Sequence, residues 1–441
     1  MSPASKTFLK HALTARPLFL GLLLFLVTIA VFSPCFGNDF IRTWDDQYHV
    51  ILNENLRSFS PPHLKNIFTG FFIGNYLPLT MLSFAADYHF FQLNPAGYHA
   101  TSVFLHALNV LLVFWLFSLL TGRRAVAFPT ALLFGLHPIQ VESVAWVSER
   151  KDVLYAFFFL AALVAYVVYL RRRQKSKFYI LTMGFFLCSL LSKPMAVTFP
   201  LFLFLFDRAC DRPEGRRAWL EKIPFFVFAL SFSVLTFFAQ RSAGALRTES
   251  AANILYKFQV ALYAVVFYLD KIFRPSGFSC LYNIPDIRGI FLLTMLAGLL
   301  LAVLITLFAR HSRKVLFGIG FFLLSLLPVL QFVPVGGTVV ADRYVYIASI
   351  GIFYLLAEGI LWLWQRKGKH AGPGRIVLVL VLVFVLGALG NLAKNRCRVW
   401  NNDLSLWNDV LAKDPTMGKA YNELGLGFYE RNDYVKDYRD V

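Results

Sequence analysis

Charged residues are scarce in this sequence. Asp, Glu, Lys and Arg together make up 15% of the 441 residues, whereas hydrophobic residues make up 58% and aromatic residues 17%. Soluble domains are about half apolar, so this composition excludes an ordinary soluble protein. We therefore expect the chain to lie in a lipid bilayer.

Cysteine is also scarce, and its spacing matches no metal-binding pattern. The five cysteines are expected to be inert packing residues, mostly in or beside apolar runs: Cys35, Cys188, Cys210, Cys280 and Cys397. A disulfide from Cys280 to another cysteine on the outer side stays open. The candidate histidines also lack a ligand spacing, so no metal site is predicted, and whether a divalent cation takes part stays open: His49, His99, His106 and His137.

Acidic residues are outnumbered, with 25 Asp and Glu against 43 Lys and Arg and a net charge of +18. Such an excess can indicate nucleic-acid binding. Here, however, the basic residues gather in short segments between apolar runs, at 171–177, 310–314 and 366–375. Because short cytoplasmic loops of membrane proteins are rich in Lys and Arg, these segments are predicted to be cytoplasmic, and no nucleic-acid partner is predicted.

Long uncharged runs mark the membrane segments. They include 17–38, 153–170, 223–240, 289–309 and 376–393. Each approaches or exceeds the roughly 18 to 20 residues that a helix needs to cross about 30 Å of hydrocarbon. The first run lacks a clear cleavage site at its end, so it is interpreted as a retained anchor rather than a signal peptide.

The alternation of loops predicts an all-α polytopic membrane bundle of about eleven spans. The N-terminus is cytoplasmic, the C-terminus is outside, and the stretch from 38 to about 97 forms a long first outer loop. The segment 256–274 is interpreted as interfacial or re-entrant, because counting it as a span would place the basic residues 310–314 outside. The predicted spans are 17–38, 98–120, 125–140, 153–170, 178–192, 194–206, 223–240, 289–309, 315–333, 345–364 and 376–393.

The sequence divides into a membrane domain, 1–394, and a polar extracytoplasmic tail, 395–441. Four tail residues have the spacing of a tetratricopeptide helix: Tyr421, Leu424, Gly425 and Phe428. About three such repeats are needed to bury their apolar faces. The tail is therefore expected to be part of a truncated array or a short cap docked on the membrane domain, with a possible role in binding a protein partner.

Two adjacent carboxylates, Asp45 and Asp46, lie in the first outer loop within the stretch WDDQYH. A carboxylate there can act as a general base that removes a proton from a hydroxyl or amide acceptor, and its neighbour raises its pKa by like-charge repulsion. We predict that this pair is catalytic. The alternative is structural, in which the two residues cap a short helix beside the membrane.

Basic residues on the predicted outer side supply the second half of a site. A phosphate leaving group requires fixed positive charge, which Arg provides as a two-pronged donor and Lys as a point charge. Arg343 lies at the outer mouth of a span, and Lys193 lies at the bend between two short spans. Each such residue can instead be a headgroup anchor. The predicted contacts to the lipid phosphate or donor are Arg343, Lys193, Arg150, Lys151 and Arg241.

Other polar residues near the outer mouths are predicted to bind the acceptor or to support the site. A charge near hydrocarbon costs roughly 2.5 to 3.5 kcal/mol on insertion scales, so it is retained where it contacts protein, water or substrate. Glu142 has a structural alternative, because it follows Pro138 at a predicted helix start. The supporting candidates are Trp44, His49, Asp87, His137, Glu142 and Asp152.

Three stretches resemble a known family: WDD at 44–46, LHPIQVESVAWVSERKD at 136–152 and ADRYVYIASIG at 341–351. They are similar to the membrane part of transmembrane and tetratricopeptide-repeat-containing O-mannosyltransferases and their bacterial relatives, which are glycosyltransferases of the GT-C superfamily. The polar tail fits the same plan, so the resemblance covers nearly the whole chain.

That resemblance implies an active site on the non-cytoplasmic face. The donor would be a hexose, mannose in the characterised relatives, carried on a polyprenyl or dolichyl phosphate, and the acceptor would be a protein Ser or Thr hydroxyl or a glycan. Asp45 or Asp46 matches the family's acidic motif, and Arg343 is the expected phosphate contact. The relatives carry many repeats that present or select the acceptor, whereas this chain has at most a fragment.

Two other functions are considered. A transporter or flippase of a lipid-linked or anionic substrate would also need outer cations and broken spans, although no internal repeat is evident between the halves. A non-catalytic anchor would use its tail to recruit partners, which the short tail disfavours. Compact loops and the short tail favour the bacterial plasma membrane over the endoplasmic reticulum.

Overall fold

A computed structural model describes residues 17–172, 175–213, 215–244, 254–283, 312–332, 338–366 and 371–437, together with 295, 296 and 298. Within these ranges the regular structure is helical, and the β-pairing is an isolated bridge between Phe72 and Asn75. The all-α class predicted from the sequence is therefore confirmed. The five cysteines are free thiols, so the disulfide considered for Cys280 is not formed.

The α-helices of the described ranges are numbered here in chain order. They are α1 (Pro17–Phe32), α2 (Pro61–Thr69), α3 (Pro78–Phe91), α4 (Pro95–Thr121), α5 (Arg124–Leu136), α6 (Val141–Ala145), α7 (Arg150–Arg171), α8 (Ser176–Ser192), α9 (Phe199–Ala209), α10 (Arg216–Leu220), α11 (Ile223–Ser242), α12 (Ile254–Phe273), α13 (Arg313–Leu326), α14 (Ser349–Gln365), α15 (Ala371–Val399), α16 (Asp403–Lys413) and α17 (Gly418–Asp437).

Several of these helices are long and apolar enough to cross a membrane. Among the described residues, five segments meet this condition: Pro17–Gly37, Pro95–Thr121, Val147–Arg171, Arg216–Ser242 and Gly372–Val399. Shorter apolar helices are α5, α8 and α14. The chain is thus a multi-pass membrane protein. The predicted span 289–309 falls outside the described residues except for 295, 296 and 298, so the total of eleven spans stays a prediction.

Local sequence explains where α4 begins and ends. Asn94 accepts a hydrogen bond from the Ala96 amide at 3.1 Å, and Pro95 occupies the first helical position, where its missing N–H costs nothing. Gly122 ends the helix in the left-handed conformation, with φ of 66°. The 27 residues between them span about 40 Å, at about 1.5 Å per residue.

The bundle has a buried centre and a lipid-facing rim. Helix α7 packs against α4 and α8, and its apolar residues are buried around almost its whole circumference. By contrast, α1, α11 and α15 expose large apolar side chains, such as Leu18, Leu230 and Phe384. Exposed apolar surface of this extent suits contact with lipid chains.

The first outer loop is more ordered than its polar composition suggests. It contains the helices α2 and α3 and a π-helical turn, Gln47–Ile51. A second apolar cluster, which includes Phe40, Met81, Phe84, Tyr98 and Val147, packs this loop against the outer ends of α4 and α7. The loop is therefore a fixed part of the outer surface.

Helix α12 is buried along one side. Its buried residues recur every three or four positions and include Val260, Ala264, Tyr268 and Lys271. Large apolar side chains such as Ile254, Phe258 and Phe273 are exposed, which suits contact with lipid chains, so the position of this helix has to be judged from its contacts.

Both ends of α12 contact the same end of the bundle. Lys257 Nζ donates to the Phe332 carbonyl oxygen at 3.0 Å, and the segment leading to Phe332 packs against residues 194–198, at the predicted outer bend. At its other end, the Ile272 carbonyl oxygen lies 3.0 Å from His137 Nε2, in the second outer loop. These contacts support the interfacial interpretation of this segment.

The C-terminal tail folds back onto the first outer loop. Helix α15 continues through the predicted domain boundary at 394/395 to Val399, and α16 and α17 then pack against each other. The Asp39 amide donates to the Asn401 carbonyl oxygen at 2.8 Å, and Asn38 Nδ2 donates to the Cys397 carbonyl oxygen at 3.0 Å. The described part of the tail is therefore docked on the membrane domain, and its relation to a repeat array stays a prediction.

The orientation of α12 can be tested by cysteine labelling. In a chain whose five cysteines are replaced by alanine, Ile254→Cys and Arg274→Cys should both react with a membrane-impermeant maleimide added outside, because both ends of α12 contact the outer end of the bundle. Arg313→Cys, at an exposed position on a predicted cytoplasmic segment, is the control and should react after permeabilisation. Labelling of one α12 position from each side would show that this helix crosses the membrane.

Candidate functional site

Asp46 joins the first outer loop to the second. Its Oδ2 accepts a hydrogen bond from the Ile41 amide at 2.9 Å, and its Oδ1 accepts from the Ser148 amide at 2.8 Å and the Ser148 hydroxyl at 2.5 Å. The side chain is fully buried. Burial raises the pKa of Asp46 to about 7, against the effect of these donors, which favour the carboxylate. The Asp46 side chain makes no capping hydrogen bond to the turn Gln47–Ile51, so its structural role differs from the helix cap considered for the acidic pair.

Asp45 differs from its neighbour. Its side chain is half-buried, and within the described part of the chain its carboxylate makes no hydrogen bond or ion pair. Burial raises the pKa of Asp45, Lys151 and Arg343 oppose that rise, and Glu149 adds to it. Asp45 is therefore the member of the pair that is placed to accept a proton.

Glu149 lies at the centre of a group of charges on the outer side. One of its oxygens is 2.9 Å from Lys151 Nζ and 3.4 Å from Arg343 Nε, and the other is 3.4 Å from Lys193 Nζ. Lys193 also pairs with Asp152. Three cations from separate parts of the chain are thus gathered by one buried carboxylate.

Arg343 has a second acidic partner. The Arg343 amide donates to Glu142 Oε2 at 3.1 Å, and its guanidinium pairs with Glu142 Oε1. The guanidinium carbon also lies 5.5 Å from the centre of the Trp146 ring, within the range of a cation–π interaction. Ion pairs and the ring together hold Arg343 with its side chain 10% exposed.

The cations of this cluster are matched by carboxylates. Arg343, Lys151 and Lys193 contact Glu142, Glu149 and Asp152, all of which are buried. Pairing offsets the high cost of removing each charge from water. An incoming phosphate would have to compete with carboxylates that already occupy these cations.

Short breaks between the helices bring these charged side chains together at the same end of the bundle. Pro138 follows α5 and begins the turn that leads to Glu142, and Glu149 ends a further turn before α7. Pro194 follows Lys193, whose extended backbone, with φ of −155°, separates α8 from the next turn. Proline cannot continue the preceding helix, so each break fixes where charged side chains leave the apolar bundle.

Four tryptophans connect the two outer loops to the tail. Trp44 and Trp146 stack with ring centres 4.1 Å apart, and Trp146 stacks with Trp400 at 5.6 Å. Trp407 lies 5.4 Å from Trp44. Aromatic stacking over this area anchors the loop that carries Asp45 from both sides.

Arg150 and Asp87 form a separate pair. The Arg150 guanidinium bonds to Asp87, to the Ser102 hydroxyl at 3.1 Å and to the Tyr98 carbonyl oxygen at 2.5 Å, and it is fully buried. Thr101 donates to the other Asp87 oxygen at 2.8 Å. The donors and acceptors of this pair are engaged within the protein, which favours a structural role over the phosphate contact predicted for Arg150.

The remaining predicted residues lie at the edge of the site or away from it. Arg241 is exposed at the end of α11. His137 is buried, accepts from the Ile139 amide at 3.2 Å and contacts Ile272, so it joins the second outer loop to α12. His49 is buried, and burial lowers its pKa to about 3. The ring is therefore neutral at pH 7, and its supporting role stays a prediction.

Two important residues were missed as site candidates in the sequence. Glu149 is the common partner of three cations, which only the fold reveals, and its position inside the run SERKD is the available signal. Ser148, which bonds Asp46 twice, had no signal beyond its neighbours. Within the described ranges, no group of three or more His, Cys, Asp or Glu side chains is arranged to hold a metal ion.

Comparison with known proteins agrees with the family resemblance of the three sequence stretches. The chain is 25% identical to Protein O-mannosyl-transferase F38B6.6 of Caenorhabditis elegans over 92% of its own length and 59% of that protein. It is 24% identical to human Protein O-mannosyl-transferase TMTC4, with 98% and 67% covered, and 26% identical to Tmtc3 of Drosophila melanogaster, with 87% and 50% covered. This chain resembles protein O-mannosyl-transferases. The resemblance predicted from the sequence is thus confirmed.

The similarity has a defined extent. The chain spans about half to two thirds of the length of these curated relatives. No protein-family model matches it. Among solved structures it aligns with ArnT from Cupriavidus metallidurans bound to undecaprenyl phosphate, at 10% identity and a TM-score of 0.43, over 90% of this chain and 77% of ArnT.

Removing Arg150 should destabilise the protein. Arg150→Ala leaves Asp87 buried without its partner, and breaking such a pair costs about 3 to 5 kcal/mol. We expect the free energy of unfolding in mixed micelles to fall by about that amount, with Asp87→Asn close behind. Arg241→Ala, at an exposed position, should change it by less than about 0.5 kcal/mol. Unchanged stability of Arg150→Ala with weaker donor binding would restore the phosphate role.

Proposed function

We propose that this chain is a membrane glycosyltransferase of the O-mannosyltransferase type. It transfers a hexose, mannose by its similarity to the relatives, from a polyprenyl or dolichyl phosphate to a Ser or Thr hydroxyl of a protein. The reaction takes place on the extracytoplasmic face of the membrane, in a bacterium the outer face of the plasma membrane. Asp45 is the general base.

The observation that carries this proposal is the position of Asp45. It is a half-buried carboxylate free of hydrogen bonds and ion pairs within the described residues, beside a cluster of paired cations that includes Lys151 and Arg343. A general base must be free to accept a proton. Both carboxylate oxygens of Asp46, however, already accept hydrogen bonds from Ile41 and Ser148. The similarity to O-mannosyl-transferases supports sugar transfer as the chemistry.

The proposed reaction is a displacement at the anomeric carbon of the sugar. Asp45 removes the proton of the acceptor hydroxyl as its oxygen attacks the anomeric carbon of the sugar. The bond between that carbon and the phosphate oxygen breaks, and the lipid phosphate leaves with the electron pair. Attack from the side opposite the phosphate inverts the anomeric centre.

An apolar cavity near the outer end supports a lipid-linked donor. A space of about 280 Å³ lies between α5, α12, α14 and α15, with His137 in its wall. Its other walls include Leu133, Ile272, Phe353, Phe384 and Leu389. An apolar space of this size suits the first isoprene units of a polyprenyl chain, while the remainder lies in the bilayer.

Asp45→Asn should remove most of the transfer activity. Loss of a general base lowers the rate by about 100- to 10,000-fold, and the asparagine keeps the size of the side chain. Transfer of mannose from polyprenyl phosphate mannose to a Ser/Thr-rich peptide in reconstituted membranes is the assay. Glu54→Gln, an exposed carboxylate of the same loop, is the control and should retain activity. Full activity of Asp45→Asn would end the assignment, and lipid translocation without transfer would favour the flippase.

The pH dependence of transfer should report Asp45. The acting form is the carboxylate, and burial raises the pKa of Asp45 above the ordinary value of 3.8. We therefore expect kcat/KM to be constant at neutral pH and to fall as the pH decreases through this raised pKa. The residual activity of Asp45→Asn should lack this acidic limb. A wild-type rate that stays constant down to about pH 4 would contradict a raised pKa for the base.

A further inference from the structure

The departing lipid phosphate needs a cation that is not already neutralised. Three of the five cations predicted to supply it, Arg343, Lys151 and Lys193, each contact at least one buried carboxylate. Their side chains are 10%, 8% and 11% exposed. A phosphate would gain little from them without displacing these carboxylates.

A fourth cation approaches the same place from the tail. Lys419 lies in the first turn of α17, and its Nζ is 5.4 Å from the centre of the Trp44 ring. It is exposed, and within the described residues it forms no ion pair, although its charge also lowers the pKa of Glu423, one turn further along α17, against the rise that burial causes there. Its charge also acts on Asp45, more weakly than Lys151 or Arg343 does.

The position of Lys419 is set by the docking of the tail. Asp403 Oδ1 accepts from the Thr43 amide at 2.9 Å and from the Thr43 hydroxyl at 2.7 Å, and Trp407 Nε1 donates to the same hydroxyl at 2.8 Å. These bonds act on the residues directly before Asp45. The tail therefore holds both the acidic loop and its own lysine in one arrangement.

We propose that Lys419 binds the phosphate of the lipid-linked donor, so that the tail completes the donor site. This inference rests on the proposed function. In the proposed displacement, the base and the leaving phosphate lie on opposite sides of the sugar. Lys419 lies near Asp45 without pairing with it, so it can contact the phosphate while Asp45 acts on the acceptor. A lysine ammonium can form charge-assisted hydrogen bonds to the phosphate oxygens, and Trp44 keeps it near the site.

Direct binding of undecaprenyl phosphate tests the proposal. The full chain is placed in phosphatidylcholine nanodiscs, and the Kd for undecaprenyl phosphate is measured by native mass spectrometry. Lys419→Ala should weaken binding about tenfold or more, because the charge-assisted hydrogen bond to the phosphate is lost. Lys419→Arg should keep most of the affinity. Arg398→Ala removes an exposed cation of the C-terminal segment, which bonds Asn395 at 3.0 Å, and should leave the Kd unchanged.

Two further arms separate this site from a general anion site. Neither phosphatidylglycerol in the nanodisc nor inorganic phosphate should displace undecaprenyl phosphate at equal concentration. In the transfer assay, Lys419→Ala should raise KM for the lipid donor more than it lowers kcat, and it should shift the acidic limb to higher pH because the lysine lowers the pKa of Asp45.

The outcomes are distinct. An unchanged Kd in Lys419→Ala, or equal competition by phosphatidylglycerol or inorganic phosphate, would overturn the role of Lys419 while leaving the proposed function intact. Failure of the proposed function would instead appear as full transfer activity in Asp45→Asn, whatever the Kd of the lysine variants.

Discussion

The arrangement of side chains at the outer end of this bundle depends on the high free-energy cost of burying an unpaired charge. Glu149 is buried, and the structure satisfies it with Lys151, Lys193 and Arg343, which come from α7, from the break after α8 and from the segment before α14. Removing Lys193 would leave Asp152, and removing Arg343 would leave Glu142, without an ion-pair partner among the described residues. Electrostatic pairing therefore fixes the relative positions of three separate parts of the chain, in a region where apolar packing alone gives little specificity.

That requirement divides the polar residues into two kinds. Asp46, Asp87 and Arg150 have their hydrogen bonds satisfied inside the protein, so they contribute to architecture. Asp45 and Lys419 lack such partners among the described residues and lie next to the same tryptophan, Trp44. A charged group can react with a substrate where the fold leaves it unpaired but still held in place. A fully paired group has no free hydrogen-bonding capacity for a substrate.

The tail belongs to this arrangement. Asp403 and Trp407 bind the backbone and hydroxyl of Thr43, and Trp400 stacks on Trp146 from the other side. Docking on the membrane domain buries apolar residues of the tail such as Trp400 and Trp407. The apolar residues of the repeat-like pattern, Tyr421 and Phe428, remain about half exposed. Membrane domain and tail form one outer surface, and the acidic loop lies between them.

The sequence by itself determined the helical class and the membrane location, because hydrophobic length is a property of the chain read residue by residue, and the distribution of Lys and Arg predicted which charged segments lie outside. It also indicated that Asp45 and Arg343 would lie close together, through the resemblance carried by WDD and ADRYVY. It did not distinguish Asp45 from Asp46, Arg150 from Lys151, or a paired cation from an unpaired one such as Lys419. Those differences depend on which groups meet across more than 100 residues of chain, as Asp46 meets Ser148. Only the tertiary structure brings such groups within hydrogen-bonding distance. The partners that a side chain meets there decide whether its charge stabilises the fold or can contact a substrate.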